Sequence, residues 1–146
     1  MNITITALKN KSRKIKDFRH HEWGLVHPKH FGTNQDANFW KKRKFIFKAE
    51  ERKQIVGVIQ GDWVAGVMYI DQLIVKSDWV GKGIGKALML KAENLASENN
   101  LHKIYLNTGV NWKAVGFYES LGYKKEGKIS NFYEHKNFWY MSKELK

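Results

Sequence analysis

Residues 81–86, Gly81-Lys82-Gly83-Ile84-Gly85-Lys86, put three glycines at alternate positions with two lysines among them. They open a run of strong helix formers in which Ile84, Leu88, Ala92 and Leu95 recur at the spacing of one helix face. A helix start carries backbone N–H groups without intrahelical acceptors and the positive end of the helix dipole. Glycines there let an anion approach closely, and Lys82 and Lys86 add charge, so the stretch predicts a seat for a phosphate-bearing ligand. A loop that only caps its helix is the plainer alternative. Two better-known phosphate loops fit poorly. Lys86 is followed by Ala87, leaving no hydroxyl for Mg²⁺, and the spacing is Gly-x-Gly-x-Gly rather than the Gly-x-Gly-x-x-Gly of a dinucleotide site.

Other chemistry is narrowed by what the chain lacks. It has no cysteine, which excludes thiolate metal sites, disulfide scaffolds and cysteine nucleophiles. His27-x-x-His30 has no matched carboxylate pattern beside it, so no metal is expected. Asp71 interrupts the apolar run 69–75; a carboxylate inside such a strand needs a partner, a turn or a task.

The elements that must position these residues follow from patterning. Residues 3–8 alternate apolar and Thr, predicting a first strand, and Ser12 is a candidate N-cap for a helix bearing Ile15, Phe18 and Trp23. Residues 24–44, with Pro28 and Gly32, read as loop and short helix. Residues 45–49 and 54–60 read as a hairpin, a turn is expected at Gly61-Asp62, and a third strand over 64–75 leads into the glycine loop. Residues 103–107 should return parallel to that strand by a right-handed crossover. A second helix over 112–121 ends at Gly122, and residues 123–126 and 138–142 supply two final strands. At 146 residues with 42% hydrophobic and 14% aromatic content, one domain over 1–146 with its own core is expected. A mean hydropathy of -0.56 and no long apolar run argue against a membrane span. The first eight residues are too short for a signal segment, so a cytoplasmic protein is expected. The net charge of +12 draws anions, which makes coenzyme A, acidic partners and nucleic acid all candidates.

Two spaced motifs decide between them. Asn111, Ala114, Phe117, Tyr118 and Gly122, with Tyr123 after them, follow the glycine loop in an order that resembles the GNAT superfamily of acetyl-coenzyme A-dependent N-acetyltransferases. Val80 stands where that family has Gln or Arg, so the resemblance implies phosphate binding mainly by backbone N–H groups with Lys82 or Lys86. It implies an α/β (α+β) fold: a mixed, mostly antiparallel sheet of six to seven strands with about four helices and two splayed parallel strands. It implies acetyl-CoA as cosubstrate, held by Leu73, Ile74, Val75, Gly81, Lys82, Gly83, Ile84, Gly85, Lys86, Asn111 and Tyr118. Tyr118 takes the family position of a tyrosine near the coenzyme sulfur, donating to the departing thiolate; a packed helix aromatic is the alternative. Asp71, which by strand alternation shares a face with Leu73 and Val75, is the candidate base for a primary amine acceptor. Glu22 and Glu134 are alternatives that would hold a cationic substrate. The resemblance also implies a possible homodimer. A basic nucleic-acid-binding module using residues 9–14 and 41–44 is the competing class, disfavoured because no recognised binding motif accompanies the lysines. A catalytically inactive coenzyme-binding protein is the third.

Overall fold

In the computed structural model, which describes residues 3–32 and 37–146, the chain divides into two units, Met1–Ala37 and Asn38–Lys146. The second begins as a meander. Arg52 and Lys53 take positive φ (48° and 67°), as do Ala65 and Gly66 (52° and 80°), and such pairs make the tight turns whose twist suits antiparallel strands. They join β1 (Arg43–Glu51), β2 (Gln54–Val64) and β3 (Val67–Val75). Then come α2 (Ile84–Glu98), β4 (Lys103–Gly109), α3 (Ala114–Ser120), β5 (Lys124–Ile129) and β6 (Phe138–Glu144), while α1 (Arg13–Phe31) belongs to the first unit. Sheet order is β1-β2-β3-β4-β6-β5. Only β3 and β4 run parallel. Among the described residues six strands form the mixed, mostly antiparallel sheet that the resemblance implies, and the α-helices number three where about four were implied.

The expected turn at Gly61-Asp62 is instead the interior of β2. A Cβ on Gly61 would stand 2.0 Å from the Tyr69 carbonyl oxygen, a contact only glycine avoids. Pairing shifts from Gln60↔Gln72 to Gly61↔Ile70, which leaves Asp71 as an extra residue on β3, a β-bulge. The bulge inverts the strand's alternation. Met68 and Ile70 are buried before it and Leu73 packs on the same core after it, whereas Ile74 is 67% exposed.

Ile59, Met68, Ile104, Leu106 and Met141 from the sheet meet Leu88, Met89, Ala92 and Ala96 of α2 in one core. The helix settles close at Gly57, where a Cβ would lie 2.9 Å from Ile84 Cγ2 and 3.0 Å from Leu88 Cδ1. Helix α3 adds Val115 and Tyr118 to the same cluster. It ends as expected at Gly122 (φ 89°): the N–H of Gly122 donates to Glu119 O and that of Tyr123 to Tyr118 O, a Schellman closure.

Pairing of β3 with β4 runs from Val67↔Lys103 to Ile70↔Leu106 and stops. Beyond it residues 72–75 pair only with β2, and residues 107–109 only with β6. The two parallel strands therefore fork.

In the first unit, Ser12 caps α1 by accepting the Ile15 N–H, as expected. The helix runs on through Gly24 to Phe31 with Pro28 inside it, where loop and short helix were expected; the proline gives up the bond to the Gly24 carbonyl and its ring crowds that oxygen. Residues 3–8 form no strand. Alternation supplies propensity, but a strand also needs a neighbour to pair with.

Candidate active site

The mouth of α2 lies beside the fork. Gly81 and Gly83 have φ of 82° and 81°, and a Cβ on either would meet nothing within 4 Å. The backbone N–H groups of Gly83, Ile84, Gly85 and Lys86 have no backbone acceptor among the described residues, and no side chain caps the helix. Four donors are thus left without a protein acceptor at the positive end of a 15-residue helix. On β3, Lys76 gives its N–H to Val56 O on the β2 side. Main-chain groups alternate along a strand, so the N–H groups of Leu73 and Val75 turn toward the open side of the fork.

A cavity of about 500 Å³ joins these features, lined by Leu73, Val75, Gly83, Gly85, Lys86 and Tyr118 among others. Its donor set fits an anionic ligand with an amide-bearing arm: unpaired N–H groups, the Lys86 and Lys113 ammoniums, and a strand edge. Trp79, Lys113 and Phe117 also line it. The glycine signal found the loop, but nothing in the sequence marks Trp79 as a wall.

Tyr118 is 8% exposed and sits edge-on between Phe117 and Tyr123, at 5.1 and 5.9 Å between ring centroids. Burial pushes its pKa up to about 12. The hydroxyl has no hydrogen-bond partner among the described residues, so it is a protonated donor on the cavity wall with its donor capacity unused.

Asp71 lies elsewhere than alternation predicts. The bulge puts it in a second cavity of about 580 Å³ with Tyr69, Gln60 and Asp62, while Leu73 and Val75 line the first. Its Oδ2 accepts from Gln60 Nε2 at 3.0 Å. Nearby, Asn107 is the first β4 residue past the end of the β3–β4 pairing, and its Oδ1 is buried without a partner. Sequence reasoning missed Asn107; as the polar end of an apolar strand it gave no distinctive signal.

The remaining candidates are dispersed. Ile74 points outward. Lys82 lies 4.5 Å over the Trp79 ring, and neither it nor Ile84 lines the first cavity. Asn111 is exposed and precedes an α3 whose N-cap is Lys113, so it does not cap that helix. Glu134 is exposed in a 3₁₀ turn, Tyr133–His135, and Glu22 belongs to α1, in the other unit. His27 packs between the Trp23 and Phe31 rings. Among the described residues no three His, Asp or Glu side chains are grouped to hold a metal, and no helix is long and apolar enough to cross a membrane.

A family model described as "Acetyltransferase (GNAT) domain" matches residues 23–145. The chain belongs to the GNAT acetyltransferase family. Solved structures with the GNAT fold agree. An acetyltransferase from Bacillus cereus superposes with a TM-score of 0.70 at 18% identity, covering 96% of this chain and 98% of that one. An acetyltransferase from Bacillus anthracis in complex with acetyl coenzyme A gives 0.66 at 25% identity, over 77% of this chain and 69% of its own. One from Bacillus subtilis in complex with CoA gives 0.66 at 18% identity, over 71% and 78%. A search of curated protein sequences found no match.

Proposed function

We propose that this GNAT protein is an N-acetyltransferase that moves the acetyl group of acetyl-CoA to a primary amine by direct attack in a ternary complex. The observation that carries the reading is the meeting, in one cavity, of the free N–H groups at the mouth of α2 and the unpartnered Tyr118 hydroxyl. The N–H groups of Gly83 to Lys86, with the Lys86 ammonium, hold the diphosphate. Leu73 and Val75 pair with the amides of the pantetheine arm along the open strand edge, and a Val75-region N–H polarises the acetyl carbonyl.

Transfer forms a C–N bond and breaks a C–S bond. The amine must lose a proton and the sulfur must gain one. An alkylamine is protonated at neutral pH, so Asp71, directly or through water, accepts the proton that frees the lone pair. Tyr118 donates to the departing thiolate. No nucleophilic cysteine exists in the chain to carry the acetyl group, which supports direct attack. The test is calorimetric binding of acetyl-CoA, followed by release of free thiol with a panel of amines. A protein that binds no acetyl-CoA, or binds it and acetylates no amine, overturns the reading.

A further inference from the structure

The first cavity reaches beyond the fork and the mouth of α2. Lys113, Phe117, Ser120 and Leu121 recur at the spacing of one helix face, and all four line it. A Cβ on Gly85 would lie 3.3 Å from Phe117 Cζ, so this face of α3 meets the start of α2. From the segment before the glycines come Trp79, the last residue of the 3₁₀ turn Ser77–Trp79, and Val80. Val80 is 67% exposed, an apolar side chain left in the open. The Trp79 ring lines the cavity while the Lys82 ammonium holds it from 4.5 Å.

The charge here is unbalanced as well. Two lysines and no carboxylate line the cavity. Lys86 lies in the first turn of α2 beside the four unpaired N–H groups, which suits it to the diphosphate. Lys113 stands elsewhere, just ahead of α3 and one helical turn, about 6 Å, along that helix from Phe117. No ion pair holds it among the described residues; Glu119, the carboxylate of α3, is taken by Lys125 at 3.2 Å. A second cation, apart from the first and without a counter-charge, asks for a second anion. Aromatic and aliphatic walls beside it ask for a flat ring. Coenzyme A carries both at one end, an adenine and a ribose phosphate separate from the diphosphate.

We infer that Trp79 and Lys113 form a nucleotide site, in which the indole packs on the adenine and the ammonium pairs with the ribose phosphate. The site selects the acyl donor. An acetyl thioester of free coenzyme A is bound in preference to one on a phosphopantetheine arm alone, the form in which a carrier protein would present it. This inference rests on the acetyl-transfer reading and goes beyond it by naming the donor class and two residues that read it.

The full chain is titrated calorimetrically with acetyl-CoA, with acetyl-dephospho-CoA, which lacks only the ribose phosphate, and with acetyl-phosphopantetheine, which lacks the whole nucleoside. Wild type should prefer acetyl-CoA about fivefold over the first analogue and about fiftyfold or more over the second. Lys113→Ala should erase the first preference, binding the two nucleotides within about twofold of each other, whereas Lys86→Ala should weaken both and keep it. Trp79→Leu should weaken both nucleotides about tenfold and leave acetyl-phosphopantetheine within about twofold, which also shows that the variant is folded. Equal wild-type affinity for the two nucleotides overturns the inference, as does a Lys113→Ala protein that still tells them apart. So does a Trp79→Leu protein that keeps its affinity for acetyl-CoA, or one that loses all three ligands alike, because the ring then supports the fold and not the nucleotide. A wild type that binds no acetyl-CoA instead removes the acetyl-transfer reading on which this inference stands.

Discussion

Replacing Tyr118 by Phe removes one oxygen from the site and little else. The ring keeps its edge contacts with Phe117 and Tyr123, and the hydroxyl leaves no partner stranded. Thermal stability at neutral pH should therefore change little. The kinetic effect follows from the phenol's acidity. With its pKa pushed up to about 12, the phenol lies roughly 3.5 units above a thiol of about 8.5, so complete proton transfer to the thiolate is uphill by about 5 kcal/mol. What Tyr118 supplies is a hydrogen bond to sulfur as negative charge develops, about 1.5–3 kcal/mol for a charged acceptor. The expected loss in kcat is about 10- to 150-fold. Acetyl-CoA affinity should stay within about twofold, because the bond strengthens only as the C–S bond breaks. Stopped-flow or steady-state thiol release gives kcat, and calorimetry gives the affinity. An unchanged kcat refutes the assignment; an equal fall in affinity means that the hydroxyl binds ground-state coenzyme.

The same phenol makes an alkaline prediction. Its folded pKa lies above the unfolded value of 10, so burial contributes stability that is fully present below pH 10 and is lost as pH rises through 12. Chemical denaturation of Tyr118→Phe should show a shallower decline than wild type in that window, and parallel curves count against burial as the cause of the shift. Gly61→Ala drives a Cβ into the Tyr69 carbonyl and should cost about 2 kcal/mol or more through an opened bulge, read as a lower melting temperature. A variant as stable as wild type means the bulge relaxes easily. Gly83→Glu has open space for its side chain but a φ of 81°, so about 1–2 kcal/mol of backbone strain is expected. Its carboxylate at the mouth of α2 should reduce acetyl-CoA affinity by about 100-fold or more in calorimetry. Retained affinity places the phosphates elsewhere.

The glycine loop, the helix it opens and the return strand were legible because each carries a local signal: alternate glycines, a 3.6-residue period, a short apolar run. The same holds for Ser12 as a cap and Gly122 as a stop. Faces were harder. A period of two puts Asp71 on the face of Leu73 and Val75, and one inserted residue reverses that, for a reason written in Gly61 on the neighbouring strand rather than near Asp71. Gly61 itself reads as a turn, since a glycine required by close approach and one required by a tight turn look alike in sequence. Residues 24–31 read as loop because Pro28 is ordinarily a breaker, yet α1 carries it in its interior three residues before its end at Phe31. The fork between β3 and β4 is a relation between two segments far apart in the chain, and no local pattern encodes it.

Tyr118 is tethered through both its ends. Its main-chain oxygen takes the N–H groups of Leu121 and Tyr123, at 3.0 and 3.1 Å, while its ring is gripped by two other aromatics. A donor so constrained has little orientational entropy left to surrender as the sulfur departs. The aim of the phenol is thereby set by Gly122, a residue that touches no ligand: loosening the helix end would blunt the proton donor before it disturbed anything else in the site.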